Sequence, residues 1–153
     1  MFKALCAAAF ALLLAAPAAA AGTHPFSIHD MLAMDRIGDP RVSPDGSRVA
    51  FAVSVTDLAA NKRRSSLWLA PTDGGPARRL TTAGSDNQPR WSPDGKALYF
   101  VSGRSGSAQV WKLSFSGGEA EQVTDLPLDV DALEVAPTGS FLVLAMAVFP
   151  NAT

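Results

Sequence analysis

From residue 40 onward, apolar positions along the chain come in short runs divided by turn residues, at spacings too tight for helices. Ser47–Ser54 (SRVAFAVS) follows Pro40-Arg41-Val42-Ser43-Pro44-Asp45-Gly46, and Lys96–Ser102 (KALYFVS) follows Pro89-Arg90-Trp91-Ser92-Pro93-Asp94-Gly95. A degraded third copy, Leu133–Gly139 (LEVAPTG), leads into Ser140–Ala145 (SFLVLA). In Ser-Pro-Asp-Gly the proline presets the first central residue of a type I turn, and glycine takes the left-handed position after it. The residue ahead of each such proline is held extended, so Arg41–Ser43 and Arg90–Ser92 read as strand ends. Ala97–Val101 is almost continuously apolar, the mark of a strand buried on both faces. Leu67–Ala70 (LWLA) and Val110–Leu113 (VWKL) are further strands, each running to a Gly-Gly turn at Gly74-Gly75 or Gly117-Gly118. Ala77–Thr81 and Ala120–Thr124 close each copy as charged edge strands suited to an exposed rim.

Aligning the copies sets the period. Ser43 and Ser92 are 49 apart, Trp68 and Trp111 are 43 apart, and Ala136 follows Ser92 by 44. The six-residue difference falls in Val55–Ser66, which is polar and basic and reads as a surface loop. A period in the mid-forties, with four strands in each copy, is the signature of a propeller blade. The expected fold is therefore all-β: a partial β-propeller of about two and a half four-stranded blades. Blade 1 is expected over residues 40–82, blade 2 over 83–126 and an incomplete blade 3 over 127–153. Propellers close with four to eight blades, so the chain reads as the amino-terminal part of something longer. If it acted alone, its unpaired blade edges would drive self-association and poor solubility.

Two segments precede the blades. Residues 1–21 carry Lys3, the apolar run Ala4–Ala16, the breaker Pro17 and the small residues Ala19-Ala20-Ala21, which together predict a secretory signal peptide. The apolar run is too short to span a membrane, and Cys6 comes too early for a lipoprotein cleavage site. Within residues 22–39 a short helix is predicted, with Ser27 as N-cap and Asp30 completing a capping-box variant. Phe26 and Met31 are placed for a hydrophobic staple. Ile28, Met31, Leu32 and Asp35 follow helical spacing, with Gly38 and Pro40 as the stop. This helix is expected to cap an edge of the first blade.

Composition narrows the function. The 153 residues include 13 Lys and Arg against 14 Asp and Glu, for a net charge of −1, and loss of Lys3 with the leader leaves −2. That balance argues against a nucleic-acid or anionic-membrane partner. The single cysteine, Cys6, lies in the leader, so an exported mature chain depends on its core and not on disulfides.

The opening DMLAMDR (Asp30–Arg36), the repeated Arg-Trp-Ser-Pro-Asp-Gly phrase and the Trp68 and Trp111 strands ending in Gly-Gly resemble the prolyl oligopeptidase family of serine peptidases. The likeness is to its secreted dipeptidyl-aminopeptidase/acylaminoacyl-peptidase branch, and it covers nearly all of the mature chain. It implies a propeller that filters peptide substrates for an α/β-hydrolase domain bearing a Ser-His-Asp triad. In such chains the hydrolase and the remaining blades come later, so they and the peptide substrate are the implied partners. The Tol-associated periplasmic propeller protein has similar blades, and the alternative is a non-enzymatic binding or scaffold propeller of that kind. On either reading the protein is exported, to the periplasm or beyond.

No catalytic residue, cofactor site or metal site is assigned. Gly103-Arg104-Ser105-Gly106-Ser107 lacks the second glycine of a nucleophile elbow and sits between two strands, so Ser105 reads as a hairpin-turn residue. His24 falls in the leader segment and His29 in the first helical turn, where a solvated or helix-packing role is expected. Asp125, Asp129, Asp131 and Glu134 admit a calcium reading, but their spacing does not fit an EF-hand loop and a solvated acidic loop is favoured. Lys62-Arg63-Arg64 is too short a basic run for a nucleic-acid site. Trp68, Trp91 and Trp111 recur at blade positions, which points to core packing.

Overall fold

The computed structural model describes residues 25–148. The predicted signal peptide, His24 and the last five residues lie outside that range. Helix α1 (Ile28–Ala33) opens the described chain. Strands β1 (Arg36–Val42), β2 (Arg48–Asp57), β3 (Lys62–Pro71) and β4 (Arg78–Arg79) follow. They form an antiparallel sheet in the order β1-β2-β3-β4. Strands β5 (Asp86–Trp91), β6 (Ala97–Ser102), β7 (Gln109–Ser114) and β8 (Glu121–Gln122) form a second sheet of the same order. A third unit is the hairpin of β9 (Ala132–Val135) and β10 (Leu142–Ala145). Two four-stranded blades and the inner half of a third are the architecture that the turn spacing implies.

The turns form as their residues dictate. Gly46, Gly95 and Gly139 have φ of 72°, 66° and 72°, and each donates its N–H to the carbonyl three residues back, at 2.9, 2.9 and 2.8 Å. In the two intact copies the serine hydroxyl donates to the turn aspartate (Ser43 to Asp45, Ser92 to Asp94). It also accepts the N–H of Arg48 or Ala97 at 2.9 Å. In the worn copy Ala136 and Thr138 cannot make that network, so only the backbone turn survives, with Thr138 and Ser140 sharing a hydroxyl contact. The Ser43 hydroxyl, joined by the hydroxyl and N–H of Ser47, holds Asp45 at a pKa of about 2, and the Ser92 hydroxyl with the Lys96 N–H lowers that of Asp94. The sign of the linkage follows: a carboxyl whose folded pKa is depressed stabilises the fold above its unfolded value and loses that contribution as pH falls. Thermal stability should therefore drop as pH falls from about 4 to about 2. Melting curves of the chain carrying both Asp45→Asn and Asp94→Asn should show a flatter dependence over that window.

The turns also stack. An added Cβ on Gly95 would lie 3.6 Å from Cδ of Pro44, and one on Gly139 would lie 3.3 Å from Cδ and Cγ of Pro93. Gly95 and Gly139 thus each rest on the proline of the preceding blade's turn. Gly139→Ala should destabilise by about 1–2 kcal/mol through its left-handed backbone, with a further cost from the tighter proline contact. Gly95→Ala should cost less, which paired urea titrations would measure.

The blades pack face to face. Ala50, Ala52, Leu67 and Leu69 of the first sheet meet Trp91, Leu98 and Phe100 of the second, with Trp111, Leu113 and Phe115 alongside. Arg48 covers this seam. Its guanidinium lies 5.0 Å from the Trp91 ring centroid and 4.9 Å from that of Phe115, and it donates to the Gly95 carbonyl. On the other side Val101 and Val110 pack on Val130 and Leu133. Alternate residues of β6 therefore serve the two seams, which is why Ala97–Val101 is apolar throughout. Threonines repeat as well: Thr81 and Thr124 hydroxyls accept the N–H of Leu67 and Val110 at 3.0 and 2.9 Å, tying each outer strand to its blade.

Four expectations are corrected. The helix ends at Ala33, and Gly38 and Pro40 lie inside β1, because that stretch pairs with β2 from Arg36↔Ser54 onward. The capping box forms, with the Asp30 N–H on Ser27 Oγ and the Ser27 N–H on Asp30 Oδ2. However, Phe26 and Met31 are both exposed and α1 touches β2 without burying any residue. Neither the staple nor an edge-capping helix is seen. Finally, Val55–Ser66 is strand at both ends, and only Leu58–Asn61 forms a turn. The added residues divide between β2 and β3 and extend their ladder to Asp57↔Lys62, so Lys62, Arg63 and Arg64 sit on a projecting β-ribbon. Antiparallel pairing satisfies the backbone groups that a loop of the same length would leave to water.

Candidate functional site: the inner-strand charge cluster

The first strand of each unit is the innermost. β5 packs against β1, β2 and β3, and β9 against β5 and β6, while the two-residue strands β4 and β8 form the outer edges. Side chains of β1, β5 and β9 therefore meet across successive blades at the inner edge of the stack. Four of them form the densest set of charges in the described residues: Asp39, Arg41, Arg90 and Glu134.

A repeated bulge brings them together. The β1–β2 register shifts between Gly38 and Arg41, and the β5–β6 register between Asn87 and Arg90. At these bulges Asp39 and Gln88 adopt φ of 48° and 52°, a left-handed backbone uncommon for residues other than glycine. Each turns its side chain toward the next blade. Asp39 Oδ2 accepts from Arg90 Nη1 at 2.5 Å. The Gln88 amide bridges to the inner strand of the third unit, donating to the Asp131 carbonyl at 2.6 Å and accepting the Leu133 N–H at 3.2 Å. The phrase X-Pro-Arg (Asp39-Pro40-Arg41, Gln88-Pro89-Arg90) thus acts as a latch between successive blades. In the third unit Ala132-Leu133-Glu134 replaces it, and the β9–β10 ladder runs without a bulge.

The two arginines at equivalent positions differ. Arg90 has a side chain 11% exposed and lies between carboxylates from both neighbouring blades: Asp39, and Glu134, whose Oε1 is 2.9 Å from Nε. That second contact is too poorly aligned for a hydrogen bond and leaves the Nε–H unsatisfied. Arg41 is 42% exposed, donates from Nε to Asp39 Oδ1 at 2.9 Å and approaches Glu134 only to 3.7 Å through Nη2. Its backbone is pinned, since Trp91 Nε1 donates to the Arg41 carbonyl at 2.9 Å. Two guanidinium groups and two carboxylates make the cluster neutral as a whole, with its most accessible charges on Arg41 and Glu134.

The residues singled out from sequence are dispersed. Ser105 occupies the β6–β7 turn and is exposed, and His29 is exposed on α1, so neither meets the other. The acidic residues of the third unit are not one solvated loop, which corrects that expectation in part. Asp129 Oδ1 accepts the Ala108 N–H at 2.7 Å, Asp131 receives Gln88 at its carbonyl, and Glu134 joins the charge cluster. Among the described residues no group of three or more His, Cys, Asp or Glu is placed to hold a metal ion. Trp91 is buried, whereas Trp68 and Trp111 are half-buried. A further polar group, Asp86, is fully buried in β5, where Ser102 and Arg104 donate to its Oδ1 at 2.6 and 2.7 Å. The sequence signal for the charge cluster was the repeated X-Pro-Arg ahead of each Ser-Pro-Asp-Gly. The phrase alone does not disclose the cluster, because the bulge that aims its side chains forms only against the neighbouring strand and blade.

Comparison with known proteins places this arrangement. The chain is 33% identical over 120 residues to the uncharacterized peptidase YuxL of Bacillus subtilis, covering 77% of this chain and 18% of that protein. It is 30% identical over 115 residues to dipeptidyl-peptidase 5 of Porphyromonas endodontalis, covering 74% and 16%. It therefore spans less than a fifth of the length of either relative. Among solved structures, the acylaminoacyl peptidase of Pyrococcus horikoshii superimposes with a TM-score of 0.62 at 22% identity, over 74% of this chain and 17% of that one. A putative TolB from Agrobacterium tumefaciens gives 0.58 at 28% identity, over 69% and 36%. Residues 33–148 match the family model described as the TolB beta propeller domain, and the chain belongs to that family.

Proposed function

We propose that these blades are the amino-terminal part of the propeller of an exported serine peptidase of the prolyl oligopeptidase type. Its role is to admit and orient peptide substrates for a hydrolase domain that this sequence does not contain. The observation that supports this reading is the match of about three quarters of the chain to part of the length of proteins named as peptidases, together with end faces that no other described residue covers. Ile37 and Val42 at one end and Phe141 and Val143 at the other are large exposed apolar side chains. Further blades of the same kind would cover them, as β5 covers β2 and β3. The inner-strand cluster then lies along the path of a peptide through the propeller. Export rests on the composition of residues 1–21, and among the described residues no helix is long and apolar enough to cross a membrane.

The test uses an antibody raised against this chain. Material captured from the native source should contain a polypeptide longer than 153 residues that reacts with a fluorophosphonate probe. The purified 153-residue chain should hydrolyse no peptide. Capture of an unreactive protein built only of further blades would favour a binding propeller like TolB, and fluorophosphonate-sensitive hydrolysis by the chain alone would overturn the division of labour.

A further inference from the structure

We propose that the crevice where the first blade meets the second binds an organic carboxylate on a short apolar stem, held between Arg48 and Arg78. The crevice has a volume of about 280 Å³ and is lined by Arg48, Leu69, Pro71, Pro76 and Arg78. Both blades that flank this seam are among the described residues. Further blades of the kind proposed above would therefore pack elsewhere, on the outer face of the first sheet and on the third unit. The site goes beyond the peptidase reading and does not rest on it.

The ladder brings the two cations to one face. Arg48 pairs with Pro71, and Ala50 with Leu69, which in turn pairs with Arg78. Residues two apart on a strand share a face, so Arg48 follows Ala50 and Ala52 onto the side packed against the second blade. Its backbone is fixed at both groups: the N–H donates to Ser43 Oγ at 2.9 Å and the carbonyl accepts the Ser43 N–H at 2.8 Å. Its guanidinium is fixed as well. It lies over the rings of Trp91 and Phe115 at 5.0 and 4.9 Å, and Nη2 donates to the Gly95 carbonyl at 3.3 Å. Nε and Nη1 donate to no described residue and keep solvent access.

Neither arginine has a counter-charge. Among the described residues no carboxylate forms an ion pair with Arg48 or Arg78. Asp45, the acid nearest to Arg48 along the chain, is taken up by Ser43 and Ser47. Two guanidiniums at one crevice repel each other, and an anion between them relieves that repulsion. The pair is no part of the blade repeat, since the offsets of 49 and 43 put Ala97 and Glu121 at the matching positions of the second blade. The walls select the ligand. Leu69 is buried at the base, and Pro71 and Pro76 line the crevice with it, so a stem of a few carbons meets hydrocarbon while its carboxylate meets the cations. Guanidinium N–H groups are the donors that suit a carboxylate, and a side chain already ordered loses little entropy on binding.

The experiment follows how fast phenylglyoxal, an arginine-specific reagent, modifies each arginine of the 153-residue chain, read site by site by mass spectrometry. Hexanoate should slow modification of Arg48 and Arg78 saturably, by about fivefold at about four times its Kd. The exposed Arg36 and Arg63 should react at unchanged rates. Hexanamide, of the same shape and without the charge, should protect neither. Arg78→Gln should raise the hexanoate concentration for half-protection of Arg48 by about threefold, and added salt should raise it too. Arg90, whose side chain is 11% exposed, reacts slowly only while the blades are folded and so reports on the state of each variant. The longer polypeptide captured by the antibody should show the same protection. Equal protection by hexanamide, protection by inorganic phosphate alone, no saturable protection, or an Arg48 that the reagent cannot reach in the longer polypeptide would each overturn the proposal. A failure here leaves the peptidase reading standing, because capture of a fluorophosphonate-reactive parent does not depend on Arg48.

Discussion

Phe100→Ala is expected to lower the unfolding free energy by about 3–5 kcal/mol, the range for emptying a fully buried aromatic site. Phe100 is 0% exposed and sits in the middle of β6, where its ring belongs to the seam with Leu67 and Leu69 of the first blade. The loss is not confined to buried area. The Arg104 guanidinium lies 5.2 Å from the Phe100 centroid and 4.7 Å from that of Trp111 while donating to the buried Asp86. Removing the ring takes away one wall of that sandwich and loosens the cation that satisfies Asp86. Because domains have only about 5–15 kcal/mol in total, most of the cooperative transition should go. Equilibrium urea unfolding checks this, with Phe141→Ala as the comparison. Phe141 is exposed on the end face, and its loss should cost less than about 0.5 kcal/mol. A similar cost at both positions would show that the seam between the blades is not the source of stability.

Arg90→Met should destabilise by about 2–3 kcal/mol, below the usual range for breaking a buried pair because its partners are partly hydrated. Asp39 and Glu134 are 29% and 60% exposed. The variant leaves the methylene packing in place and removes the one charge that touches carboxylates from both neighbouring blades. Two carboxylates are then left facing Arg41 alone. Adding Glu134→Gln to Arg90→Met should recover part of the loss, and a double-mutant cycle reads that coupling directly. Hydrogen exchange of the β1 amides should quicken in Arg90→Met. Strict additivity of the two substitutions would mean that the 2.9 Å contact carries no net stabilisation.

What the sequence determined by itself is what neighbours along the chain decide. Ser43-Pro44-Asp45-Gly46 and Ser92-Pro93-Asp94-Gly95 contain every group their turns need, so the turn positions, the strands on either side and the blade period are all local chemistry. The Ser27–Asp30 capping box has the same origin. Burial of Ala97–Val101 on both faces was legible too, because only a strand between two neighbours can be apolar at consecutive positions.

The rest depended on partners far along the chain. Asp39 finds Arg90 51 residues away, and Gln88 reaches the Asp131 carbonyl 43 residues on. The left-handed backbone that aims both side chains is held by pairing with β2 and β6. Nothing local distinguishes Arg41, partly open, from Arg90, nearly buried, since both follow proline in the same phrase. The difference arises because Arg90 has a blade on either side and Arg41 has a described blade on only one. The same reason explains the basic segment Lys62–Arg64: its residues look like a loop until the opposing strand Val55–Asp57 supplies their backbone partners. Local turn chemistry fixed where the blades lie, and the packing of one blade on the next decided which of their charges meet.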